Sequence, residues 1–293
     1  MNMKNFKRVF VLLVSVLAIG CSPSDDIESK EVPASDSFVY SYDNEEVSIS
    51  SWNAVKVENT LLVTGSAEDG RKFAIEFNKF GNLSSANSYS TTDFGFPLTN
   101  SFEYFKSNYF DFELVGIDEV NKRVSVNFLG DLYEDNYDIN STTHFVQGSF
   151  NVSYSEQEPQ IAGLEVSAKI NGKDWYATDG NQSGGFFSGS DIELYMISDD
   201  EYFISFAMNH DNTTALEYNF DENSTVNKVA FSEYDPAIDE IVEYQTSGTF
   251  NITEKNEGLQ ITQIIGTYNL TARNGSNVIE VTQGKVNLAY FNY

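Results

Sequence analysis

One cysteine, two histidines, five prolines and 17 basic residues are spread over 293 positions. Each shortage removes a class of function. With Cys21 the only thiol, disulfides, thiolate metal sites and a cysteine nucleophile elsewhere are excluded. His144 and His210 alone give zinc hydrolases and Ser-His-Asp arrangements little to draw on. From Ser22 onward no apolar run approaches the roughly 20 residues of a membrane-spanning helix. Bases are scarce where acids are not. Residues 1–20 hold three bases and no acid, so beyond them 14 bases face 44 acids, a formal charge of −30. Such a field repels nucleic acid and anionic lipid and favours cations and basic partners.

What is present begins with a leader. Lys4, Lys7 and Arg8 precede an apolar run from Val9 to Ile19, about the length of a signal-peptide core and too short to cross a bilayer. The run ends in Leu17-Ala18-Ile19-Gly20-Cys21, which resembles a lipobox, although Ala18 stands where leucine is commoner. The resemblance implies cleavage before Cys21 and acylation of its thiol. Each buried methylene contributes about 0.8 kcal/mol, and stable anchoring takes more than one chain. Next comes Ser22-Pro23-Ser24-Asp25-Asp26-Ile27-Glu28, similar to the surface-export signal of Bacteroidota lipoproteins. It implies a protein anchored in the outer membrane and facing the exterior. Residues 21–36 then form an acidic tether behind the signal peptide of residues 1–20.

The remainder reads as strands. Aromatics make up 14% of the chain, with 23 Phe and 17 Tyr, and such residues favour pleated, half-buried backbone. Alternation sets Phe73, Ile75 and Phe77 on one face, and likewise Val124, Val126 and Phe128. It recurs in Ile192, Leu194 and Met196, in Tyr202, Ile204, Phe206 and Met208, and in Val286, Leu288 and Tyr290. Turn pairs such as Asp69-Gly70, Asn171-Gly172 and Asn274-Gly275 separate the runs. The best helical candidate, Ala237 to Val242, is short and follows Pro236.

The pattern also repeats. Gly130 and Gly148 share the spacing of Gly266 and Gly284. In each pair the second glycine follows a glutamine and leads to Asn-x-x-Tyr, at Asn151 to Tyr154 and Asn287 to Tyr290. Trp52 and Trp175 each lie near the start of a half. The polar segment Ser155 to Gly163 makes the connector. The expectation is all-β: two tandem, internally repeated antiparallel domains over residues 37–155 and 164–293. Each would be sandwich-like or a partly open barrel, with roughly seven to nine strands.

Ala168-Lys169-Ile170-Asn171-Gly172-Lys173-Asp174-Trp175-Tyr176-Ala177 resembles the opening motif of a β-rich family of Bacteroidota lipoproteins with no established activity. Ser247-Gly248-Thr249-Phe250, Ile265-Gly266-Thr267-Tyr268 and Gln283-Gly284-Lys285-Val286 are similar to its later strands. The match covers residues 165–293, and the first half has no Asn-Gly-Lys ahead of Trp52. It implies a tethered, sandwich-like domain.

Candidate sites are few. Asp131, Glu134, Asp135, Asn136, Asp138 and Asn140 crowd one segment with the oxygens a hard cation such as Ca²⁺ takes. The glycine and closing glutamate of an EF-hand are missing, so a solvated hairpin loop is the simpler reading. Asp199-Asp200-Glu201 reads as a turn. Trp52, Trp175 and Tyr176 suit a ligand-contacting platform or, more simply, packing anchors. The aromatic-rich stretch Phe102 to Phe112 reads as core. Gly184 to Gly189 lacks the P-loop lysine and the nucleophile-elbow spacing, and reads as a flexible loop. His144 and His210 fall near expected turns and read as exposed. With 44 acids, sequence selects no carboxylate pair for glycoside hydrolysis. The expectation is therefore a lipid-anchored, non-enzymatic binding or interaction module with an extracellular or envelope partner. The rivals are a carboxylate-dependent carbohydrate-active protein and a structural envelope component.

Overall fold

Period-two alternation of apolar and polar residues obliges the chain to bury one face of every strand, and the computed structural model meets that need with facing sheets. It describes residues 35–89, 98–178, 184–188 (backbone only) and 190–292. The strands of the first half are β1 Ser37–Tyr42, β2 Glu45–Val47, β3 Ile49–Val57, β4 Thr60–Ala67, β5 Lys72–Asn78, β6 Leu83–Tyr89, β7 Thr99–Ser101, β8 Phe110–Asp118, β9 Arg123–Tyr133, β10 Thr143–Ser153 and β11 Ser155–Glu156. Those of the second are β12 Glu165–Ile170, β13 Lys173–Tyr176, β14 Gly184–Ser188, β15 Asp191–Ile197, β16 Tyr202–Asn209, β17 Glu217–Phe220, β18 Lys228–Asp235, β19 Glu240–Glu243, β20 Gln245–Glu257, β21 Ile261–Asn274 and β22 Asn277–Phe291. The expected seven to nine strands per half become eleven because several are short: β2, β7 and β11 of the first half have two or three residues, and β13, β17 and β19 of the second have four. Among the described residues there is no α-helix, and the Ala237–Val242 candidate is a turn running into β19.

The first half is one sheet in the order β11-β3-β4-β5-β6-β7-β9-β10-β1-β2, with β8 also on β9. It folds over on itself. Tyr40 of β1 stacks on Phe73 of β5 at 4.6 Å, and Phe73 on Phe128 of β9 at 4.8 Å. The path has two free ends, so it closes no barrel. The second half is divided into two sheets, β13-β12-β22-β21-β20-β17 and β14-β15-β16-β18-β19. Phe206 joins them, its ring 5.5 Å from Phe250 and 5.2 Å from Tyr268.

The two halves open alike. β1 and β2 meet at Asp43-Asn44, and β12 and β13 at Asn171-Gly172; all four residues have positive φ, as a two-residue I′ hairpin requires. The order β2-β1-β10-β9-β8 matches β13-β12-β22-β21-β20. Within this match Tyr40 faces Val47 where Ala168 faces Trp175. The large and small residues have exchanged strands. Trp175 therefore corresponds to buried Val47, and the expected likeness of Trp52 and Trp175 does not hold: Trp52 lies on β3, 36% exposed. The hairpin is what repeats, and a tryptophan close to it in sequence need not share its place.

Rings and carboxylates join the halves. Phe102 and Tyr133 of the first pack with Phe203 and Tyr234 of the second, and Tyr104, Phe105 and Tyr109 lean on the same cluster. Much of the aromatic-rich stretch is thus core between the halves, while Phe110 belongs to the first sandwich. Phe80 stacks on Tyr176 with centroids 3.8 Å apart. Asp199, in the β15–β16 turn, accepts from Asn82 Nδ2 at 2.9 Å and from the Leu83 amide at 3.1 Å.

Candidate functional site

On β1, β8, β9 and β10 one set of alternate residues fills the sandwich, among them Tyr40, Phe110, Phe128 and Phe150. The other set faces outward and is laid out by strand register. Glu46 of β2 faces Ser41 of β1, which faces Gln147 of β10, then Leu129 of β9 and Asp111 of β8. A second row runs Val39, Ser149, Asn127, Glu113. Small Ser41 and Ser149 lie among longer neighbours, and the face dips there into a recess of about 770 Å³. Its lining offers carboxylates, amides and hydroxyls in a fixed lattice. Asn127 Nδ2 donates to Glu113 Oε2 at 2.8 Å, which fixes both side chains. Tyr40 and Phe128 border the recess but are buried inside the sandwich, so no ring platform is presented there.

A second recess of about 460 Å³ lies under the connector, between Val57 of the first half and Val166, Met196 and Leu288 of the second. Two of its polar side chains, Glu165 and Asn287, are already engaged in holding the connector and the halves together. Glu165 Oε2 accepts from Asn59 Nδ2 at 2.7 Å, and Asn287 Nδ2 donates to the Gly163 carbonyl at 2.6 Å. The chemistry there is that of a joint.

The residues singled out from sequence do not converge. Cys21 lies outside the described residues. Trp175 is 3% exposed, and its Nε1 donates to Asp200 Oδ1 at 3.1 Å. Tyr176 is covered by Phe80, and Trp52 hydrogen-bonds Asp36. In the acidic segment, Asp131 sits on β9, where burial pushes its carboxyl up. Asp135 accepts from the Tyr137 amide at 3.0 Å and Asp138 from the Asn140 amide at 2.9 Å, which makes the loop a pair of Asx turns. Glu134 lies 3.6 Å from His144 Nε2. Among the described residues no group of three or more His, Cys, Asp or Glu is placed to hold a metal ion.

Three readings are corrected. His144 lies near a turn, as expected, but is not exposed: it is a half-buried residue at the start of β10, stacked on Tyr42 and 2.8 Å from Asp43 Oδ2. Of the expected Gly184 to Gly189 loop, Gly184 to Ser188 is not a loop but β14, paired with β15, and Gly189 lies outside the described residues. Its two phenylalanines favour strand more than its glycines oppose it. His210 is at a turn, but half-buried, with Nδ1 3.2 Å from the Tyr290 hydroxyl. The lattice on the outer face of β1, β8, β9 and β10 escaped sequence reading altogether. Its only trace is the set of polar positions between the apolar ones, and every half-exposed strand has such a set.

No protein-family model, curated protein or solved structure matches the chain.

Proposed function

We propose that this chain is a non-enzymatic binding or interaction module, lipid-anchored through Cys21 to the outer membrane and facing the exterior. It takes its ligand on the outer face of β2-β1-β10-β9-β8. The observation that carries this is the lattice of Gln147, Asn127, Ser149, Asp111 and Glu113 around a hollow of about 770 Å³. Recesses of roughly 300–1,000 Å³ with a few placed polar groups are the usual form of ligand sites. The formal charge of −30 beyond residue 20 favours a polar or basic ligand and disfavours nucleic acid. A carbohydrate-active hydrolase fits less well, because this face is open and has no aromatic walls. Two measurements test the reading. Labelled palmitate should enter the wild-type chain and not Cys21→Ala. In detergent, the full chain should bind a member of a panel of glycans, peptides and divalent cations saturably, and Asn127→Ala with Gln147→Ala should weaken that binding at least tenfold. Absence of saturable binding across the panel would refute the module.

A further inference from the structure

We infer that the recess takes an uncharged glycan, laid across β2, β1, β10, β9 and β8 and held by side-chain hydrogen bonds without aromatic stacking. This rests on the proposed function of that face and names the class of its ligand. Charge narrows the choice first. Glu46, Asp111 and Glu113 line the recess, and among the described residues no lysine, arginine or histidine does. A phosphate, sulfate or carboxylate ligand would meet like charge there and nothing to pair with. The fold itself does not keep bases out. In the second half Lys285 lies between Ser167 and Thr267, the place that Ser149 holds between Val39 and Asn127.

Hydrogen-bonding chemistry narrows it further. Asn44 and Gln147 are exposed amides, each with an N–H₂ that gives hydrogen bonds and an oxygen that takes them. Ser41 and Ser149 do both through one hydroxyl, and the exposed carboxylates of Glu46 and Asp111 take only. An ammonium ligand gives only, so it would leave the amide N–H₂ groups without an acceptor. A sugar hydroxyl gives and takes at once, and each ring carries several. Spacing separates a glycan from a peptide. The row repeats at the strand separation, about 4.8 Å, whereas an extended peptide repeats at about 3.3 Å a residue and falls out of step. A sugar ring is close to one strand separation in length. Across five strands the row covers roughly 19 Å, room for a few linked rings.

One hydroxyl is already waiting for a partner. Ser41 Oγ lies in the wall of the recess, out of contact with water, and has no hydrogen-bond partner among the described residues. Glu46 of β2 and Gln147 of β10 flank it in register. A buried polar group left unmet costs free energy, and a ligand hydroxyl reaching between those two side chains recovers it. The apolar part of a sugar ring also has its counterpart. Val39 and Leu129 are 56% and 45% exposed in the same lattice and meet the C–H faces of the rings.

The test titrates the full chain in detergent, by calorimetry, with hexasaccharides of glucose, xylose and mannose in α- and β-linked forms. Hexagalacturonate, spermine and a seven-residue peptide of asparagine and serine are the controls. At least one neutral hexasaccharide should bind saturably, and each control at least tenfold more weakly. The affinity should change less than twofold between about 50 and 500 mM NaCl, because an uncharged ligand offers no charge to screen. Ser41→Ala should weaken the glycan at least fivefold and leave thermal stability equal or higher, since it deletes an unmet hydroxyl. Gln147→Glu removes a donor and adds a charge, so it should weaken a glycan and would strengthen a cation. Preference for a control, steep salt dependence, unchanged glycan affinity in Ser41→Ala, or tighter binding in Gln147→Glu overturns the inference. If every hexasaccharide fails while a peptide or divalent cation binds in an Asn127- and Gln147-dependent way, the glycan is wrong and the binding face stands. If nothing binds, both fall.

Discussion

Asn151 and Asn287 hold the same post in the two halves. Each faces the first residue of its half's opening strand, Ser37 and Glu165 respectively. Each donates through Nδ2, at 2.6 Å, to the carbonyl two residues ahead of that strand, Ser35 for Asn151 and Gly163 for Asn287. The Asn of the Asn-x-x-Tyr repeat is thus the clasp that fixes where each half begins. Asn151→Ala and Asn287→Ala should each cost about 1–2 kcal/mol, since a carbonyl loses its donor and a small cavity opens. The two sites share no partner, so the double variant should be additive within about 0.5 kcal/mol in urea titrations. Strong coupling would show that the clasps are not independent.

The paired glycines make a second prediction, because three glycines differ in what a methyl group would strike. At Gly148 a Cβ would lie 2.3 Å from the Val39 oxygen and 2.6 Å from the Phe128 ring; at Gly284 it would lie 2.6 Å from the Tyr268 oxygen and 2.7 Å from that ring. In both halves a cross-strand aromatic covers the glycine. At Gly172 nothing lies within 4 Å, but φ is +82°. Gly148→Ala and Gly284→Ala should therefore lose about 2–4 kcal/mol through forced backbone movement. Gly172→Ala should lose about 1 kcal/mol through backbone strain alone. Equal losses at the three positions, measured by thermal unfolding, would contradict this account.

Strand identity was legible in the sequence because alternation records burial directly. Phe73, Ile75 and Phe77 fall on β5, and Ile192, Leu194 and Met196 on β15, all of them buried. The architecture above the single strand was less legible. Asp199-Asp200-Glu201 reads as a solvated turn, yet Asp199 bonds Asn82 and Leu83, more than 110 residues away, and Asp200 lies under Trp175. Local pattern does not encode such contacts. The outer-face lattice was hidden for the opposite reason. Gln147, Asn127 and Glu113 are ordinary polar strand residues until register aligns them across β10, β9 and β8.

The two tryptophans should report separately on emission. Trp175 is 3% exposed within the second core, and Trp52 is 36% exposed on β3. In Trp52→Phe the remaining fluorescence should be blue-shifted and resist iodide, with a quenching constant several-fold below that of Trp175→Phe. Trp175→Phe should also cost about 1–2 kcal/mol, since it loses the bond to Asp200 and part of its packing, while Trp52→Phe stays within about 0.5 kcal/mol. Equal quenching of the two single-tryptophan variants would place Trp175 outside the core.

Asp200 gives the dependence on pH. Burial pushes its carboxyl up to about 7, against the pull of the Tyr202 amide and Trp175 Nε1, and the charges of Asp199 and Glu201 add to the rise. In the unfolded chain it titrates near 3.8. Between those values the native state keeps a proton that the unfolded state has lost, so stability falls as pH rises. The contribution is complete below pH 3.8, drains through the interval and is gone a little above pH 7. Asp200→Asn keeps an oxygen for both donors and never ionises. It should match the wild type near pH 4 and exceed it at pH 8 by on the order of 1–3 kcal/mol, a tenfold change in proton affinity being worth about 1.4 kcal/mol. Burial also raises Glu76, and its contribution has the same sign, so the difference between variant and wild type is the quantity to measure. Urea denaturation across pH 4–8 supplies it. If that difference stays flat with pH, Asp200 is already ionised in the native state and its turn is more open to water than the structure shows.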